Sequence, residues 1–137
     1  MKGFPTMRIG IVTQPGDLSA YVAEMFKTWG LVGFDLVPPQ QVDALDPSST
    51  PVLVCPAAER NAKPQESLIG FARRGGTLIV FLPTGELADA AGLAHRGRKE
   101  TPLRLRITER PAAGLAGEEL PIVGEARGYR PQTDQVK

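Results

Sequence analysis

The sequence predicts an α/β fold built on a mainly parallel sheet of four or five strands. Three observations point to it. Short apolar, β-branched runs recur at residues 7–13, 33–37, 51–55 and 77–82. Segments with helical spacing alternate with them. The run 51–55 is apolar throughout, as a strand buried on both faces of a parallel sheet must be.

The first strand, 7–13, stops at Gln14-Pro15-Gly16. Asp17 or Ser19 is placed to cap the helix that follows. Leu18, Tyr21, Val22, Met25, Phe26 and Trp29 then recur at helical spacing, a wide apolar stripe that assigns Tyr21 and Trp29 to the core. Gly30 is a natural stop for this helix. A short second strand, 33–37, closes at Pro38-Pro39, and a short helix bridges to the third strand at 51–55. Pro64 suits the first residue of a second long helix, 64–74, with Leu68, Ile69 and Ala72 on its inner face. Gly75-Gly76 end that helix, and 77–82 is the strongest strand of the chain. Pro83-Thr84-Gly85 turns into a short helix at 86–91 that stops at Gly92.

Strands alternating with helices at this spacing imply right-handed crossovers and a sheet covered on both faces. The expected architecture is a flavodoxin-like three-layer α/β/α sandwich with strand order 2-1-3-4. After Leu93 the pattern changes. Residues 94–101 are polar and basic. Leu103, Leu105 and Ile107 alternate with Arg104, Arg106 and Thr108, which reads as a half-exposed strand at an edge or in an antiparallel annex. Residues 120–123 offer one more strand. Residues 124–137 have little to bury and read as a flexible tail, which would also suit a fragment of a longer chain. The expected organisation is therefore one domain over 7–123 and a tail over 124–137.

Composition excludes several classes. The 137 residues carry 16 basic and 15 acidic side chains, for a net charge of +1. That balance argues against a general nucleic-acid binder. One cysteine, Cys55, allows no intrachain disulfide, and one histidine, His95, leaves no Cys/His zinc cluster. No apolar run approaches the roughly 20 residues of a membrane helix. Residues 1–7 lack the apolar stretch of a secretory signal, so a cytoplasmic setting is expected, without membrane partner, metal or cofactor.

The third strand with its proline (Pro51-Val-Leu-Val-Cys-Pro56), the helix after it, Gly75-Gly76, and Thr77-Leu-Ile-Val-Phe-Leu-Pro-Thr-Gly85 together resemble the class I glutamine amidotransferase-like superfamily. They look most like its non-catalytic branch, which includes the trimerisation domain of bacterial β-galactosidases and related domains of unknown function. The similarity spans 7–93. The resemblance implies a bacterial, carbohydrate-related multidomain protein in which such a domain serves assembly or ligand binding. The active members carry Gly-Ile-Cys-x-Gly at the strand-to-helix elbow. Here the corresponding run is Phe81-Leu82-Pro83-Thr84-Gly85, with Pro83 at the nucleophile position. Ala57-Ala58 replace the oxyanion-hole glycines, and the late His-x-Glu pair is absent. Glutamine hydrolysis is therefore not expected.

The remaining candidates divide between chemistry and structure. Cys55 ends the third strand, at the sheet end where α/β proteins bind ligands; it is either the nucleophile of a divergent hydrolase or a small buried apolar residue. Gln14 follows the first strand, and Thr84 the fourth, at the same mouth. A phosphate-sensing receiver domain also places Thr or Ser after its fourth strand. It would need acidic residues after the first strand and an aspartate ending the third, where this chain has Gln14-Pro15 and Cys55. The loop 13–17 has one glycine and fits no phosphate-binding pattern. Arg96, Arg98 and Lys99, with Arg104, Arg106 and Arg110 beyond, form a basic stretch that could hold a carbohydrate or small anion, or dock another domain. Glu59 and Glu66 form no recognisable catalytic pair. The favoured partner is a second copy or another domain of a larger protein, through the edge strand around Leu105.

Overall fold

The computed structural model describes residues 7–56, 62–100, 103–106, 114, 117–122 and 126–132. The chain divides into two compact units, Met1–Gly92 and Leu93–Lys137, where one domain over 7–123 was expected.

The first unit has the predicted α/β character. Strands β1 (Ile9–Val12), β2 (Phe34–Val37), β3 (Val52–Cys55) and β4 (Thr77–Val80) form one sheet in the order β2-β1-β3-β4. Every pairing is parallel, with Ile9 opposite both Phe34 and Val52, and Val54 opposite Ile79. Helix α1 (Ser19–Thr28) links β1 to β2, a 3-10 helix (Pro39–Ala44) leads on to β3, and α2 (Ala62–Arg73) links β3 to β4. The short α3 (Gly85–Ala90) follows β4. The architecture is compatible with a flavodoxin-like fold.

Two apolar clusters take alternate residues of the same strands, as the period of a strand requires. Val12, Val37, Leu53 and Cys55 pack with Val42, Leu68, Phe71 and Leu87 from the 3-10 helix, α2 and α3. Ile11 and Val54 pack with Ala23, flanked by Ile9, Val22, Phe26 and Phe34. Phe26 meets Phe34 edge-on, with ring centroids 5.9 Å apart.

Two core assignments need correction. Tyr21 and Trp29 are 71% and 65% exposed, so they are not core. The apolar arc of α1 is wider than its contact with the sheet. The small buried Ser19 and Ala23 let the helix lie close, Val22 and Phe26 fill the contact, and Leu18, Tyr21, Met25 and Trp29 stay outside. On α2, Leu68 is buried and Ile69 partly so, but Ala72 is exposed. The central residue is Phe71, which is fully buried. It lies against Gly76, where a β-carbon would collide with its ring. The glycine pair thus does more than end the helix: Gly76 is the space that Phe71 occupies.

α1 ends as predicted at Gly30, whose φ of +78° suits glycine. Arg74 holds α2 to the 3-10 helix, its guanidinium 3.4 Å from the carbonyl oxygens of Val42, Asp43 and Leu45. Ser67 adds a hydrogen bond of 3.0 Å to Asp43. β4 stops at Val80, two residues before the expected end, leaving Phe81 and Leu82 exposed.

In the second unit, β5 (Leu93–Glu100) pairs antiparallel with β8 (Ala126–Pro131), with a register irregularity between His95 and Lys99. β6 (Leu103–Arg106) pairs antiparallel with β7 (Glu119–Ile122). Part of the expected tail, 126–131, is therefore a strand. Neither β5 nor β8 has an apolar period, so only their mutual hydrogen bonding makes them strands.

Candidate functional site

The sequence placed Gln14, Cys55 and Thr84 together at the C-terminal mouth of the sheet. The structure gives them three different settings. Gln14 lines an open cavity of about 650 Å³ with Thr13, Pro15, Pro38, Pro39, Gln40 and Pro64. This is the mouth between the ends of β1 and β2, where α/β sheets bind ligands. Its wall is held by a short polar relay. The Gln14 amide donates to Asp17 Oδ2 over 2.9 Å, and Asp17 Oδ1 accepts the Ser19 amide over 2.8 Å. The Ser19 hydroxyl also donates to Asp17 and lies 2.8 Å from the hydroxyl of Thr13. Asp17 thus ties the loop to the start of α1, one residue before the N-cap position of Leu18. Among the described residues, four prolines, two glutamines and a threonine line this cavity. None of them can serve as a general acid or base at neutral pH.

Cys55 does not line that cavity. It is 1% exposed and packs among Val12, Val37, Leu53, Leu68, Phe71 and Leu87. Burial pushes its thiol up to about 12, because an apolar surrounding disfavours the thiolate. At pH 7 about one molecule in 10⁵ would carry the thiolate that a nucleophile needs. The local geometry therefore supports the packing role of Cys55.

Thr84 is the N-cap of α3, with extended backbone, but its side chain makes no capping bond. That work falls to Gln65, a residue the sequence reading passed over. Gln65 is 4% exposed; its Oε1 accepts the Leu87 amide, and its Nε2 donates to Thr84 Oγ1, each over 3.4 Å. Its signal was present in the sequence: a glutamine three residues before Leu68, on the inner face of α2, is an amide that must find partners.

The second residue missed is Leu82. It is the one non-glycine residue with positive φ, +51°, among the described residues. A nucleophile elbow concentrates backbone strain at such a strand-to-helix turn. Here the strained residue is a leucine, one position before Pro83. Its side chain offers no reactive atom.

The side chains of Arg96, Arg98 and Lys99 lie outside the described residues, as do Ala57, Ala58, Glu59, Ile107 and Arg110. Arg104 is paired with Glu119 over 2.9 Å, and Arg106 is exposed. Among the described residues, no group of His, Cys, Asp and Glu is placed to hold a metal ion. Nor is any helix among them long and apolar enough to cross a membrane. A second open cavity, of about 540 Å³, lies between α2, β4 and α3, lined mainly by Ile69, Ala72, Leu78, Val80 and Leu87, with Arg73 also in its wall. Compared with protein families, curated proteins and solved structures, the chain matches none.

Proposed function

We propose that this chain is a non-catalytic, amidotransferase-like domain of three-layer α/β/α type that serves assembly within a bacterial, cytoplasmic protein. The observation that carries the reading is the burial of Cys55 among aliphatic and aromatic side chains, away from the cavity at the sheet mouth. The turn after β4 supports it, because its strained residue, Leu82, and the Pro83 that follows both lack a reactive side-chain atom. The strand order β2-β1-β3-β4 is the one expected of the flavodoxin-like arrangement. The test is the mass of the full chain in solution, measured by sedimentation equilibrium over a wide concentration range. Self-association is expected. A monomer at every concentration would remove self-assembly from the reading.

The proline-lined cavity favours a second role, the binding of a small neutral polar ligand such as a sugar. Gln14 and Gln40 supply amide donors and acceptors, the proline rings supply apolar contact, and among the described residues none that lines it is cationic.

A further inference from the structure

The outer stripe of α1 is not scattered exposure. Leu18, Tyr21, Met25 and Trp29 follow at intervals of three, four and four, so they line one side of the helix. They are 56%, 71%, 48% and 65% exposed, and no charged residue interrupts the row. The charged pair on this helix, Glu24 and Lys27, lies on the opposite flank.

The stripe also has a floor. Ile79 is paired with Val54, so it shares the sheet face on which α1 packs, and by alternation Phe81 shares it too. Val54 is covered by α1, but Ile79 and Phe81 are 48% and 46% exposed. α1 is the one described helix in the apolar cluster on this face, while α2, α3 and the 3-10 helix contribute to the other. The right-handed winding of α1, with a right-handed crossover from β1 to β2, turns the stripe toward the β3–β4 side. Wall and floor therefore bound one apolar trough.

Resting on the assembly reading above, we infer that this trough is the surface through which two copies of the chain associate. Each α1 lies in the trough of its partner, its stripe against Ile79 and Phe81 of the partner subunit. Ridge and seat are adjacent parts of one patch, so a two-fold axis engages both at once and closes the pair as an isologous dimer. The area fits as well. If wholly covered, these six side chains, each about half to seven-tenths exposed, would bury on the order of 700 Å² per copy, near the roughly 800 Å² that each partner of a standard interface contributes. Tyr and Trp are the residue types that dominate such contacts.

The edges of the sheet are unequal in the same sense. β2 carries Asp35, paired with Arg8, and Arg8 also donates to the carbonyl of Phe34 over 3.0 Å. β4 has no charge along Thr77–Val80. The charged β2 edge is the protected one, and the bare β4 edge borders the trough.

The test is sedimentation equilibrium of the full chain as wild type, Tyr21→Glu, Ile79→Glu and Leu36→Glu. All three substituted side chains are exposed, and far-UV circular dichroism verifies that each variant is folded. The wild type is expected to dimerise. Tyr21→Glu and Ile79→Glu, on different elements, should each weaken the dimer at least about a hundredfold. Leu36→Glu, on the β2 edge, should leave it unchanged. A wild-type dimer that survives both Tyr21→Glu and Ile79→Glu overturns the trough as the interface and leaves self-assembly standing. A wild-type monomer overturns both, and assigns the trough to a different protein or to another part of this chain.

Discussion

Replacing Cys55 by alanine separates the packing role of this thiol from a chemical one. Cys55 is 1% exposed, so removing its sulfur leaves a small void that should cost about 1.5 kcal/mol at pH 7. Stability against pH then gives a second, independent reading. The thiol is pushed from 9.0 to about 12 by burial. Raised in the folded state, it stabilises in full below pH 9, and that contribution is lost as pH climbs from 9 toward 12. In that window the unfolded chain ionises while the folded chain cannot. Wild type should therefore lose about 1.4 kcal/mol per pH unit through Cys55, up to about 4 kcal/mol in all. The alanine variant has no such group. Its deficit should shrink above pH 9, vanish near about pH 10 and reverse beyond it. Urea denaturation of both proteins at several pH values measures this, with tyrosine and lysine ionisation common to the two and cancelling in the difference. A deficit that stays constant with pH would refute the burial argument. So would rapid labelling of the native thiol at neutral pH, which would return Cys55 to the list of candidate nucleophiles.

Two further outcomes follow from the turn after β4. Leu82→Gly should raise stability by about 0.5–1 kcal/mol, because glycine relieves a left-handed backbone at the expense of a more flexible unfolded chain; thermal unfolding measures it, and a destabilised variant would mean that the exposed Leu82 side chain packs on something. Gln65→Leu should cost about 1–3 kcal/mol, since it leaves the Leu87 amide at the start of α3 without its acceptor, and hydrogen exchange should show α3 loosening before the sheet.

How much of this was legible in the sequence depends on the range of the interactions involved. β3 was readable because a strand buried on both faces must be apolar throughout, and β1, β2 and β4 were readable as short apolar, β-branched runs closed by proline-containing turns. Gly30 and Gly75 announced helix ends through local backbone chemistry. β5 and β8 were not readable, because nothing local makes Leu93–Glu100 a strand; its partner, Ala126–Pro131, does. The same holds for the candidate site. Cys55, Gln14 and Thr84 were rightly placed at strand or loop positions, but side-chain direction separates them. Cys55 shares the parity of Leu53 and faces Phe71, whereas Gln14 lies beyond the strand and opens onto the cavity.

Residue type and short-range spacing were enough for the α/β character and for the order of the first eight elements, β1 through α3. Which apolar residues of α1 are core depends instead on how the helix seats on the sheet. A helical wheel ranks Trp29 with Phe26, but one helix can press only a limited arc onto a sheet. The close seat allowed by Ser19 and Ala23 set that arc, and with it left Tyr21, Met25 and Trp29 facing outward.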